Sequence, residues 1–191
     1  ITNWVTVPGS DINIDLGGGT TPTDPSEGTE TTIFTETFGA TVEKVDGNWP
    51  GVNQFTGWDN PTFTFTDNYL STTYSYASVR STTTMNSHVW FAATKNSGLK
   101  ISGFSTSGYT NLKLSYSIAA NVKSVDQNVI QVKCDSTVMT VPSVSIPATN
   151  LYQTVELSNV PVNTTSIEFI SSATTNTAGY RIDNVKLVGT K

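Results

Sequence analysis

Two carboxylates stand near the ends of the alternating part of the chain, and both have the chemistry to hold a hard cation. Glu36 lies in Phe34-Thr35-Glu36-Thr37-Phe38. Strand alternation puts it on the same face as two phenylalanines, so its charge points toward a core and needs a cation or donors. Near the other end, Tyr180 and Ile182 share one phase while Val185 and Leu187 share the opposite one. The phase slips at Asp183-Asn184, which predicts a β-bulge that re-aims Asp183. First and last strands are neighbours in many sandwiches, so Glu36 and Asp183 are expected to meet. Two such oxygen donors with loop carbonyls suit a structural calcium ion. Two plainer readings stand beside it: Arg80 or Arg181 pairs with Glu36, or Glu36 is exposed at a sheet edge.

A second constellation is aromatic. Trp49, Phe55, Trp58, Tyr69, Tyr74 and Tyr76 crowd one segment, interleaved with Asn53, Gln54, Asp59, Asn60 and Asp67. Flat rings stack on the C–H faces of sugars, and neighbouring amides and carboxylates bind hydroxyls. Trp49, Trp58, Asp59 and Asn60 are therefore the candidate ligand-binding residues. The competing reading makes Trp49-Pro50-Gly51 and Gly57-Trp58 loop anchors whose rings plug the sandwich edge. Exposure of the two tryptophans separates these readings: an accessible, side-by-side pair favours sugar, and burial favours a scaffold.

Catalytic chemistry finds little support. His88 is the one histidine, in His88-Val89-Trp90-Phe91, and no nucleophile-elbow context accompanies it. A histidine zinc cluster is excluded by count. Cys134 is the one cysteine, so no intramolecular disulfide forms, and its phase with Ile130 and Val132 makes it a small buried hydrophobe. No catalytic residue is assigned. A glycosidase built on a carboxylate pair is kept as the enzymatic alternative, although none of the acidic pairs forms a recognisable pattern.

The elements that must position these residues read as strands. Leu112, Leu114, Tyr116 and Ile118 fall on one face of 111–118, and Ser166–Ile170, Tyr152–Leu157 and Val129–Cys134 alternate in the same way. Shorter candidates are 62–66, 74–79, 89–92 and 99–102. Period-2 patterning with polar turns, and no amphipathic helix of three turns, predicts an all-β fold. The expected architecture is a two-sheet antiparallel β-sandwich, with jelly-roll topology as the leading option. Its predicted core is Leu112, Leu114, Tyr116, Ile118, Ile130, Val132, Ile167 and Phe169.

The 191 residues suit one domain plus a tail, with 36% hydrophobic and only 13% charged residues. Residues 17–31, rich in Gly, Pro and Thr, read as a linker. Residues 1–16 read as a hairpin or the remnant of a preceding domain, leaving 32–191 as the sandwich. The net charge of −5, from 10 basic and 15 acidic residues without a basic cluster, argues against a nucleic-acid partner. No apolar stretch is long enough for a transmembrane segment. The chain begins at Ile1 rather than Met, which is compatible with an upstream leader.

Three short stretches carry a family resemblance: Phe34-Thr35-Glu36-Thr37-Phe38; His88-Val89-Trp90-Phe91 followed by Leu99-Lys100-Ile101-Ser102-Gly103; and Arg181-Ile182-Asp183-Asn184-Val185-Lys186-Leu187. Together they resemble a Bacteroidetes surface β-sandwich family, similar to galactose-binding-like jelly rolls and calcium-containing carbohydrate-binding modules. The resemblance implies a structural Ca2+ on Glu36 and Asp183. It also implies a secreted or cell-surface location, with the full-length protein anchored at the outer membrane. The expected function is a non-catalytic carbohydrate-binding or adhesive module whose partner is a glycan or another surface protein. The alternative from another class is a structural or protein-interaction domain with no small ligand.

Overall fold

A computed structural model describes residues 28–70, 75–82, 85–122, 125–126 and 129–191. The hairpin expected at 1–16 and the linker as far as residue 27 lie outside them. The described residues form thirteen strands and no helix. In chain order these are β1 (Glu30–Glu36), β2 (Thr64–Thr66), β3 (Ala77–Thr82), β4 (Met85–Phe91), β5 (Ser97–Ser102), β6 (Thr110–Ala120) and β7 (Val125–Asp126). They are followed by β8 (Ile130–Cys134), β9 (Thr137–Val138), β10 (Ser145–Ile146), β11 (Gln153–Leu157), β12 (Ser166–Ser171) and β13 (Tyr180–Thr190).

Two antiparallel sheets make a jelly-roll sandwich. One runs β11-β6-β13-β4-β3, with β1 also on β13, and the other runs β2-β5-β12-β8-β9. A small β10-β7 pair lies beside them. Alternation explains the layers, since each sheet turns its apolar phase toward the other. Leu114, Ile118, Ile130, Val132, Ile167 and Phe169 are fully buried, Leu112, Tyr116 and Cys134 nearly so. Tyr116 of β6 and Phe169 of β12 meet edge to face with centroids 4.9 Å apart, a geometry that adds to simple burial.

The eleven-residue β13 organises the six-stranded sheet. One of its edges pairs with β6 along its length. Its other edge pairs first with β4, Tyr180–Ile182 against Phe91–Val89, and then with β1, Val185 opposite Glu36 and Thr190 opposite Glu30. The change of partner falls at Asp183-Asn184. There the register with β6 shifts between Asp183 and Lys186, and Asn184 adopts φ 51°. This is the bulge that the phase slip predicts, and β1 and β13 are neighbours as expected.

Candidate functional site

Strand β1 ends where Phe38 and Gly39 take positive φ, 62° and 74°, because consecutive left-handed residues cannot continue an extended strand. A Cβ on Gly39 would lie 2.0 Å from the Gly57 carbonyl oxygen, so the two loops are pressed together there. Glu36, fully buried, ties them. Its Oε1 accepts the N–H groups of Phe38 (3.0 Å) and Asp59 (3.0 Å). Its Oε2 accepts the Asn60 N–H (3.1 Å) and Asn60 Nδ2 (2.9 Å). In return Asp59 Oδ2 accepts both the N–H and the hydroxyl of Thr37 at 2.6 Å. Four donors compensate the buried carboxylate, so its charge is met without an arginine and without a cation.

Asp183 is different. It is 5% exposed and accepts the Asn184 N–H on Oδ1 at 2.6 Å. Burial pushes its carboxyl up to about 6; the Asn184 N–H works against that rise and the charge of Asp59 adds to it. Glu36 of β1 pairs with Val185, two residues from Asp183 on β13, but the two carboxylates have separate partners. Among the described residues no three His, Cys, Asp or Glu side chains form a metal-holding group.

The tryptophans of the aromatic segment are not an open pair. Trp58 stacks on Phe65 at 3.9 Å and 7°, with Phe55 and Phe38 edge-on at 4.8 and 5.9 Å. Half-buried Trp49 packs against the core and lies 5.3 Å from Lys44 Nζ. Asp59 and Asn60 are engaged in the Glu36 clamp. The geometry uses Trp58, Asp59 and Asn60 to lock the loop after β1.

The outer face of the six-stranded sheet presents a different group. Val89 and Phe91 of β4 point into the core, which sends His88 and Trp90 outward. Arg181 stands directly opposite Trp90 on β13, and Arg80 opposite His88 on β3. Both guanidiniums lie near the Trp90 ring, Arg181 at 4.6 Å and Arg80 at 5.0 Å from its centroid. Arg80 Nε donates to Ser78 Oγ at 2.9 Å, and Arg181 Nη2 to Asn121 Oδ1 at 3.3 Å. The indole is held from the side by Gly179, whose φ is 74°; a Cβ there would lie 2.3 Å from the ring. Gly179 is in turn fixed by Asn176, fully buried, whose Oδ1 accepts the Gly179 N–H at 2.8 Å.

Electrostatics on this face are unusual. Burial, with the Arg181 charge second, brings Arg80 down to about 10. His88 is 1% exposed, and burial lowers it to about 4 against the opposing bond to the Asn86 carbonyl; Arg181 and Arg80 lower it further. It is neutral at physiological pH and donates from Nδ1 to that carbonyl at 3.0 Å. Half-buried Tyr152 lies close enough to feel both Arg181 and Asp183.

No protein-family profile matches the chain, and no curated protein does. Solved structures do. The cleaved adhesin domain of Lys-gingipain from Porphyromonas gingivalis matches with a TM-score of 0.51 at 11% identity, over 84% of this chain and 99% of that one. A family 29 carbohydrate-binding module from Piromyces equi gives 0.46 at 5% identity, over 84% and 90%. The C-terminal CBM6 of a marine laminarinase from Zobellia galactanivorans gives 0.44 at 16%, over 67% and 100%. The likeness is one of fold.

Sequence reading missed the Trp90 face, although half of its signal was present. The phases of His88, Trp90 and Arg181, each opposite to buried apolar neighbours, mark them as outward-facing. What alternation does not contain is strand order, and only the pairing of β3, β4 and β13 brings these residues together. Asp67, grouped in the sequence with the polar residues of the aromatic segment, has a structural place of its own. It is 2% exposed and accepts the N–H groups of Tyr69 and Gly98 and the hydroxyl of Ser75, so it serves the loop after β2 as Glu36 serves the loop after β1.

Proposed function

We propose that this chain is a non-catalytic carbohydrate-binding or adhesive module of a secreted or cell-surface bacterial protein, with its ligand face on the outer side of the six-stranded sheet around Trp90. The observation that carries this reading is the convergence there of a half-buried indole, two guanidiniums and an amide on a rigid sheet. Such a surface combines an apolar platform with hydroxyl-binding groups, as sugar recognition requires. The sandwich shared with an adhesin domain is compatible with it, although fold alone does not assign a ligand. His88, 1% exposed and bonded to a backbone carbonyl, lies beneath this surface and is read as a packing residue rather than as a catalytic base. A glycan array probed with the purified chain tests the proposal. Retention of defined oligosaccharides, lost in Trp90→Ala, is expected. An array without any retained glycan would favour the scaffold reading, which the packing of Trp58 against three phenylalanines also supports.

A structural calcium ion belongs to the same proposal. Asp183 suits it, being a buried carboxylate with one backbone donor and the Asp59 charge nearby. Glu36 suits it less, because both of its oxygens already accept two N–H donors each. Asp183 and Asp59 would hold the ion with surrounding carbonyls, and Glu36 would act by fixing the loop that carries Asp59. Calcium would add positive charge where the Asp59 charge already raises the Asp183 carboxyl.

A further inference from the structure

We propose that the Trp90 face is a subsite for a carboxylate-bearing sugar, a uronate residue of an acidic glycan. The inference rests on the carbohydrate-binding reading above and narrows it to one chemical class. The chain has only two arginines, Arg80 and Arg181, far apart in sequence. Both converge on one indole, at 5.0 and 4.6 Å from its centroid, beside the only histidine. The chain has eight lysines, but both cations at the Trp90 ring are guanidiniums.

Among the described residues neither guanidinium forms a salt bridge. The salt bridge found among the described residues joins Lys113 and Glu30, at the other end of β13. The chain carries 15 acidic residues against 10 basic ones, so carboxylates are not scarce. Two like charges held together, half-buried and without a counter-ion among the described residues, leave the face electrostatically incomplete. His88 brings no negative charge to relieve it.

The geometry points to a carboxylate on a sugar for two reasons. Arg80 is fixed through Nε to Ser78, which leaves its two terminal nitrogens for another acceptor. A guanidinium edge of that kind matches a planar carboxylate with two parallel bonds. Arg181 has Nε and Nη1 buried without partners and Nη2 on Asn121, so it contributes a fixed charge and one directed nitrogen. Beside them stand groups suited to a sugar ring rather than to charge: the Asn121 amide and the apolar indole. A bare inorganic anion would use the first set and ignore the second.

Isothermal calorimetry on the full chain tests this with oligouronides of several linkages, each paired with its carboxyl-reduced neutral counterpart and with a sulfated neutral oligosaccharide. At least one oligouronide is expected to bind at least tenfold more tightly than its reduced form, with affinity falling as salt rises. Arg80→Gln and Arg181→Lys should each weaken it about tenfold while melting near wild type; Lys133→Gln, on the opposite sheet, should leave it unchanged. If the reduced glycan binds equally well and Trp90→Ala abolishes it, the carbohydrate reading stands and the uronate assignment is overturned. Binding of the sulfated sugar alone would also overturn it. If no glycan binds, both readings fail.

Discussion

Glu36 and Asp183 show how two carboxylates of similar sequence promise end in different chemistry. Glu36 is neutralised in effect by four N–H donors, whereas Asp183 has one. Replacing Glu36 by Gln puts an NH2 group among N–H donors. It should cost about 3 kcal/mol, the range for losing a charged hydrogen-bond acceptor in a buried site. Thermal melting checks this, and because Glu36 holds the loop that carries Asp59 the variant should also respond less to a chelator than wild type does. In wild type a chelator should lower the melting temperature and calcium restore it. Asp183→Asn should remove that dependence, and a chelator-insensitive wild type in metal-free form would contradict the calcium site. His88 supplies the pH prediction. Its folded pKa, about 4, lies below the ordinary histidine value of about 6.5, with burial as the main cause and Arg181 and Arg80 adding to it. Between these values the unfolded chain binds the proton and the folded chain does not. Stability is therefore complete above about 6.5 and is lost as pH falls toward 4, by roughly 3 kcal/mol at 1.36 kcal/mol per unit. Urea titrations of wild type and His88→Gln over that window should differ in slope; parallel curves would contradict it.

The strand elements were largely legible in the sequence, because period-2 alternation survives in β6, β8, β11 and β12 and each buries its apolar phase. The bulge in β13 was legible too, since one extra residue inverts the phase of everything after it. The Trp90 face was not. Its parts lie on β3, β4 and β13, and alternation says which way a residue points without saying which strands are adjacent. The loop 172–179 was equally hidden, although it decides how the indole sits. Gly179→Ala is the test at this scale. A Cβ there meets the indole at 2.3 Å on a backbone of φ 74°, and a left-handed non-glycine residue costs on the order of 1–3 kcal/mol. The variant should keep its sheet content by circular dichroism and lose glycan binding at least tenfold. Unchanged affinity would mean that the orientation of Trp90 does not matter.

For the whole molecule, the sandwich is a rigid frame that places a small positive patch on an acidic protein. The net charge of −5 repels acidic polymers at long range, so recognition depends on local contact at Arg80 and Arg181 rather than on steering. The aromatic-rich segment drew attention in the sequence because its residues are contiguous. Its rings are mostly packing: Trp58 lies among Phe38, Phe55 and Phe65. The four tryptophans, Trp4, Trp49, Trp58 and Trp90, give four indole N–H resonances that report separately on the competing surfaces. The most direct measurement is a 15N–1H titration of the indole signals with an oligosaccharide retained on the array. The account predicts that the Trp90 signal shifts progressively and saturates while the Trp58 signal stays in place. Movement of the Trp49 and Trp58 signals with Trp90 unperturbed would contradict it and return the ligand site to the loop after β1.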